Sequence, residues 1–133
     1  MAIRTAEAEF KPGEEVVVSG ASPSAALAAV FEDDGETGYF YALDTSNTAY
    51  KILDALHVYN VAQVTDRERT SGVEVIWSSD GMRVLLKINS YPHAAFDFVK
   101  GRGYCRTGFP KPAEGEFSSA GHEWSDEVLG FFD

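Results

Sequence analysis

A run of acidic side chains at residues 32–36, EDDGE, has the residue types that bind a cation. An EF-hand calcium loop needs Gly at its sixth position, acids at positions one, three and five, and Glu at position twelve. With Gly35 placed sixth, Val30 is first and Tyr41 is twelfth, so the spacing fails. Asp and Gly also suit a tight turn, because both tolerate positive φ. We therefore expect a hairpin turn whose acids form a candidate contact loop for a partner: Glu32, Asp33, Asp34 and Glu36.

Histidines are the second group that could bind a metal. No His or Cys pair has zinc-finger or HExxH spacing. His93 and Asp97 would lie on one strand about 13 Å apart, too far to bind one ion together. Folding could still bring Asp54, His57 and His93 together as a ligand site. We expect neither a metal ion nor a cofactor.

Residues 101–110, GRGYCRTGFP, combine the lone Cys105 with two arginines. Cationic neighbours lower the pKa of a thiol and favour a nucleophile, but no cysteine-enzyme signature accompanies Cys105, and a lone cysteine is more often a small buried hydrophobic residue. Arg102 and Arg106, with Lys100, could instead bind a phosphate or carboxylate against the glycine backbone. The same cations could pair with the acidic residues of the tail, 114–133, and we favour this internal pairing.

Charge and composition restrict the classes of partner. The 133 residues carry a net charge of −10, while residues 83–111 hold six basic side chains against one acid. A net-acidic surface repels nucleic-acid phosphates and favours a basic protein partner. No apolar run is long enough to cross a bilayer, the N-terminal residues do not resemble a signal peptide, and a single cysteine suits a reducing compartment. We expect a cytoplasmic protein of one domain, residues 1–133, that binds neither nucleic acid nor membrane; a homodimer is compatible with the sequence.

Most of the chain is predicted to form strands. A β-branched run spans 14–20, and apolar runs at 26–32 and 37–44 flank the Asp-Gly turn, which is a strong hairpin signal. Both faces of 37–44 are apolar, so this strand is expected to be central in its sheet. Residues 52–64 fit either a strand or a helix.

A second strand pattern covers residues 73–98. Val75, Trp77, Leu86 and Ile88 alternate with other side chains on either side of an Asp-Gly turn, which predicts a three-strand antiparallel meander with these four residues facing the core. Ser125 is a candidate N-cap for a short C-terminal helix. The fold class is therefore predicted as β-rich α+β: an antiparallel meander sheet or partly open barrel of about six to seven strands with that helix.

Four segments together resemble a family of small uncharacterised bacterial proteins, one of the domains of unknown function. They are VFEDDGETGYFYALD, DALHVYN, INSYPHAAFDF and GYCRTGFP. The resemblance covers nearly the whole chain from about Pro12 onward. It implies a bacterial cytosolic protein with a single domain, and it implies no activity and no catalytic residues.

Two function classes follow. The absence of a catalytic constellation, the small size and the acidic charge favour a non-enzymatic binding protein, such as an inhibitor or immunity-type protein. The alternative is a small-molecule or anion-binding protein, or an enzyme. Its site would lie near His57, His93, Cys105 and Arg106.

Overall fold

A computed structural model describes residues 2–111 and 117–132. It contains nine strands, each antiparallel to its neighbours in the sheet. They are β1 (Ile3–Phe10), β2 (Val16–Ala21), β3 (Leu27–Asp33), β4 (Thr37–Asp44), β5 (Lys51–Asn60), β6 (Ser71–Trp77), β7 (Arg83–Ile88), β8 (Tyr91–Asp97) and β9 (Arg102–Cys105).

The strands form two sheets that pack face to face. One sheet has five strands in the order β1-β6-β7-β8-β9, and the other has four in the order β2-β3-β4-β5. The β-rich class with antiparallel strands is confirmed and β4 is central in its sheet, but the strand count is higher than the predicted six to seven, and the strands form two sheets instead of one. The two strands that the sequence analysis missed are β1, which is largely exposed and alternates charges with alanines, and β9, which has only four residues and lies in the glycine-containing stretch.

The core lies between the sheets. Strands bury alternate side chains because successive residues point to opposite faces. Phe31, Phe40 and Leu56 of the smaller sheet are fully buried against Trp77 and Phe96 of the larger one. The Trp77 indole Nε1–H donates a hydrogen bond to the Gly20 carbonyl at 3.2 Å, which links the two sheets through a buried polar contact.

The meander prediction for 73–98 is confirmed. Strands β6, β7 and β8 pair in sequence, and Val75, Trp77, Leu86 and Ile88 all belong to the buried core between the sheets. Leu85 is also buried, but on the opposite side, in a smaller cluster with Ala95, Tyr104 and Val128.

Helical structure in the described residues is limited to two 3-10 segments. The ambiguous stretch 52–64 is strand β5 followed by a 3-10 turn, Val61–Gln63. The predicted C-terminal helix is a 3-10 helix, Asp126–Phe132, which places Val128 on the outer face of the five-stranded sheet. Within the described ranges, no helix has both the length and the apolar character needed to cross a membrane.

Candidate functional site

The acidic turn between β3 and β4 is partly a structural element. Asp33 is 1% exposed, and its carboxylate accepts hydrogen bonds from the backbone N–H groups of Gly13 and Gly35, both at 2.8 Å, and from the Tyr59 hydroxyl at 2.6 Å. Burial raises the pKa of Tyr59, and the bond to Asp33 raises it further. Asp33 therefore holds two turns together instead of facing a partner.

The other three acids of the turn are more accessible. Asp34 accepts hydrogen bonds from the backbone N–H groups of Thr37 and Glu36. Both bonds lower the pKa of Asp34, and the bond from Thr37 lowers it more. Glu32 points outward from β3, where the Tyr41 hydroxyl lies 3.4 Å from its carboxylate. Glu32, Asp34 and Glu36 can therefore meet a partner.

The outer face of the four-stranded sheet carries a row of aromatic side chains. Tyr41 stacks on Tyr39 with ring centroids 5.8 Å apart, and Tyr39 stacks on His57 at 4.9 Å. The strand register places Glu32 beside Tyr39 and Val17 beside Glu32. We call this surface the tyrosine face, and it consists of Val17, Val30, Glu32, Tyr39, Tyr41 and His57.

No hydrophobic side chain of the tyrosine face belongs to either buried cluster of the described residues. Val17 and Phe109 are each 62% exposed. Phe109 lies at the edge of the sheet, where its carbonyl oxygen accepts a hydrogen bond from the backbone N–H of His57. Ile52, on the same sheet, is 61% exposed. Exposed apolar side chains beside aromatic rings and a carboxylate make this outer sheet face a candidate interaction surface.

A buried polar cluster joins the two sheets where the edge strands β5 and β9 meet. His122 Nε2 lies 2.8 Å from a carboxylate oxygen of Asp54 on β5, and the Ser118 hydroxyl donates to the same oxygen. Gly103 N–H on β9 donates to Ser118 Oγ at 2.7 Å. A Cβ on Gly103 would lie 2.8 Å from the Asp54 carboxylate, so only glycine permits this approach. We call Asp54, Ser118 and His122 the Asp54 cluster.

This arrangement favours the positively charged form of His122. Its Nδ1 faces the Pro110 carbonyl oxygen at 2.6 Å and its Nε2 faces the Asp54 carboxylate, and because both partners accept hydrogen bonds, a proton on each ring nitrogen satisfies both. Burial alone would lower the pKa of His122, but the hydrogen bonds to Asp54 and Pro110 and the Asp54 charge outweigh it, so the net pKa is raised.

The Asp54 cluster has the residue types of a hydrolase triad without its connectivity. In a triad the serine hydroxyl gives its proton to the imidazole, whereas Ser118 donates to Asp54 and His122 has no free nitrogen to accept a proton. The His122 side chain is also 1% exposed. The cluster therefore anchors the residues after β9 to the smaller sheet.

Cys105 and His57 lie close to this cluster but do not join it. Cys105 is 1% exposed, and its Sγ lies 3.4 Å from the His57 carbonyl oxygen. The His57 ring points to the tyrosine face, where its Nε2 is 2.8 Å from the Asn60 side chain. Neighbouring strands thus bring Asp54, His57 and Cys105 together in the backbone, but their side chains do not converge on one point.

The two candidate arginines contact the C-terminal segment, residues 117–132. Arg106 lies over the Trp124 ring at 4.0 Å, has Asp126 at 3.9 Å, and donates from Nε to the Pro92 carbonyl at 3.1 Å. Arg102 donates to the Glu123 carbonyl at 3.2 Å. The tail acids Glu114 and Glu116 lie outside the described residues.

His93 lies on β8 beside Arg106, whose backbone N–H donates to the His93 carbonyl oxygen at 3.1 Å. Its ring packs edge-to-face against Tyr91 with centroids 5.2 Å apart, and it lines a cavity of about 470 Å³. In the part of the chain that the structure describes, no group of three or more His, Cys, Asp or Glu side chains has the geometry to hold a metal ion.

Comparison with known proteins identifies the family. Residues 10–133 match the DUF2251 family model, which is described as an uncharacterised protein conserved in bacteria. The chain belongs to this family. A relative of this DUF2251 chain, an uncharacterised protein from Haemophilus influenzae, is 49% identical to it over 86 residues, which is 65% of this chain and 53% of the relative. The chain therefore aligns with about half of that protein's length. No solved structure matches this chain.

Two features of this DUF2251 chain escaped sequence reasoning. Ser118 and His122 were not among the candidate residues, because 64 and 68 residues separate them from Asp54 and no local motif marks the pairing. Only the placement of β5 beside β9 brings them together. The tyrosine face was indicated by the sequence only through the apolar character of both faces of residues 37–44.

Proposed function

We propose that this DUF2251 protein is a non-enzymatic binding protein of the cytoplasm whose tyrosine face engages a basic polypeptide of a partner. The observation that carries the proposal is the row Tyr41, Tyr39 and His57, stacked beside Glu32 on a sheet face where Val17 is 62% exposed. An inhibitor or immunity-type protein is one role of this kind.

The chemistry of the tyrosine face suits arginine and lysine. Cations bind over aromatic rings because the ring face carries partial negative charge, and a neighbouring carboxylate adds a charge-assisted hydrogen bond. The chain uses the same contact internally, with Arg83 over Phe131 and Arg106 over Trp124, both at 4.0 Å. Tyr39 and Tyr41 offer comparable rings next to Glu32.

Charge around the face favours the same class of partner. Asp34 and Glu36 lie at one end of the sheet, in the turn that follows β3, and Glu14 and Glu15 directly precede β2. The whole chain carries a net charge of −10. Long-range attraction would steer a basic partner toward this surface, and its association rate would fall as salt screens the charges.

The alternative of a catalytic or anion site near His57, His93, Cys105 and Arg106 has less support. The Cys105 thiol is buried, the His57 ring lies on the tyrosine face, and Arg106 is engaged by Trp124 and Asp126. A shared pocket for these groups would require their side chains to converge.

A charge-reversal pair tests the proposal. Glu32→Lys changes the tyrosine face, and Glu74→Lys makes the same change on the outer side of the five-stranded sheet, where Glu74 pairs with Arg4. We expect wild type and Glu74→Lys to capture the same basic protein from the native cytosol, with salt-sensitive binding, and Glu32→Lys to lose it. Equal capture by all three folded proteins, or capture that salt does not weaken, would contradict the proposal.

A further inference from the structure

A cavity of about 470 Å³ lies where β1 and β5 end and the turn between β7 and β8 begins. Its apolar lining includes Phe10, Ile88 and the ring of Tyr59. Ligand pockets typically measure about 300–1,000 Å³ and combine apolar walls with a few polar groups. The size and lining of this cavity therefore suit a small organic molecule.

His93 is a partly buried polar group of this cavity with unused hydrogen-bonding capacity, whereas Thr65, Asp66, Arg69 and Thr70 of the lining are exposed. His57 and His122 each have ring nitrogens bonded to protein atoms. No described residue forms a hydrogen bond with a ring nitrogen of His93, which lines the cavity. Burial, and then the charge of Arg106, lower the pKa of His93, so its ring is neutral at neutral pH and offers one donor and one acceptor.

Charges at the rim of the cavity balance each other. Arg69 and Asp66 both line it, and both are exposed. A charged ligand would gain attraction from one of these side chains and repulsion from the other, and the neutral His93 would add no charge of either sign. The lining therefore favours an uncharged molecule.

We propose that the cavity binds an uncharged aromatic molecule of one or two rings, whose hydroxyl or N–H group hydrogen-bonds to His93. The ring of the ligand would pack against Phe10, Tyr59 and Ile88. The unprotonated imidazole nitrogen would accept a hydrogen bond from the hydroxyl or N–H group of the ligand. This site is independent of the tyrosine face, so either proposal can fail without the other.

Nuclear magnetic resonance titration with phenol as the probe tests this site. Phenol should shift the ring resonances of His93 in a saturable manner and leave those of His57 unchanged, because His57 lies on the tyrosine face. Binding should weaken when the pH falls below the pKa of His93, because the protonated ring cannot accept the hydrogen bond. Absence of a His93 shift up to the solubility of phenol, or equal shifts at His57, would overturn the proposal.

Benzoate tests whether the ligand is uncharged, and the variant His93→Phe tests whether His93 recognises it. Benzoate, which has a similar ring with a negative charge, should bind more weakly than phenol at neutral pH, and tighter binding would overturn the assignment of an uncharged ligand. His93→Phe keeps the ring but removes the nitrogens, so phenol affinity should fall roughly five- to tenfold, the value of one hydrogen bond. Unchanged affinity in the folded variant would exclude His93 as the recognition group.

Discussion

The outer faces of the two sheets differ in what covers them. On the five-stranded sheet, Leu85, Ala95 and Tyr104 are buried beneath Val128, and Trp124 packs against the same cluster. On the four-stranded sheet, the outward-facing Val17 stays 62% exposed. Both sheets carry apolar side chains on both faces, so the apolar pattern alone does not determine which face is covered.

The covered face also shows how its cover is held. Arginines of the sheet contact aromatic rings of the C-terminal segment, as Arg106 contacts Trp124 and Arg83 contacts Phe131, both at 4.0 Å. On the tyrosine face the aromatic rings belong to the sheet, and the cations are what a partner would supply. Under the proposed function, the two faces would use one kind of contact, satisfied within the chain on one side and offered to a partner on the other.

Breaking the anchor of the covered face should have the largest effect. His122→Ala leaves the Asp54 carboxylate buried without its cationic partner, so we expect a loss of about 3–5 kcal/mol in the free energy of unfolding. Chemical denaturation measures this value. The double variant Asp54→Asn/His122→Gln should lose less than the sum of its two single variants, because the residues interact directly. Additive losses would argue against a coupled pair.

Core truncations compare the two faces directly. Leu86→Ala removes a side chain between the sheets and Leu85→Ala removes one beneath the C-terminal segment, and each should cost about 2–5 kcal/mol because each leaves a cavity. The matched change on the uncovered face, Val17→Ala, should stay within about 0.5 kcal/mol of wild type. A cost below about 1 kcal/mol for Leu85→Ala would mean that the C-terminal segment does not seal this face.

Stability should also depend on pH through His122. Because the folded-state pKa of His122 is raised, its contribution is fully present below the unfolded-state pKa of about 6.5 and is lost as pH rises through the folded-state value. Thermal unfolding of wild type and of His122→Gln should therefore converge toward alkaline pH. The lowered pKa of His93 acts with the opposite sign, since its contribution is lost as pH falls. A difference in melting temperature between wild type and His122→Gln that stays constant with pH would contradict the raised pKa of His122.

Removing Arg106 should have a smaller effect than removing His122 or either core leucine. Its contacts with Trp124 and Asp126 are partly exposed, so Arg106→Ala should cost about 1 kcal/mol. Inorganic phosphate should leave the melting temperature of the wild type unchanged. If Arg106 formed an anion site, phosphate at a hundred times its dissociation constant would instead raise the free energy of unfolding by about 2.7 kcal/mol. A stabilisation by phosphate that disappears in Arg106→Ala would show that Arg106 binds a ligand instead of serving only the internal contacts. Lys51→Ala, which also removes one positive charge, is the control.

Part of the fold could be predicted from local sequence patterns. In β6, β7 and β8 the alternation of apolar residues and the turn residues Asn89 and Ser90, which both have positive φ, indicate three consecutive paired strands, although not the register shift at Leu86 and Lys87. Strand β1 could not be predicted in the same way. Its inward-packing residues include Ala6 and Ala8, which are too small to produce a clear hydrophobic period.

The division into two sheets and the sites depend on contacts between distant residues. The Asp-Gly turn predicted the hairpin of β3 and β4, but not that Asp33 turns inward to meet Gly13 and Tyr59. Asp54 was a candidate ligand, yet its partner His122 is 68 residues away. Such pairings follow from topology, which a single sequence does not encode in any local spacing.

The most direct test of the tyrosine face is site-specific photocrosslinking. A photoreactive phenylalanine analogue placed at Tyr41 should form an adduct with a basic protein in the native cytosol, and the yield should fall as salt is added. The same analogue at Tyr91, which is 52% exposed on β8 of the other sheet, serves as the control and should form no such adduct. Crosslinking of the basic protein from position 91 and not from position 41 would contradict the account.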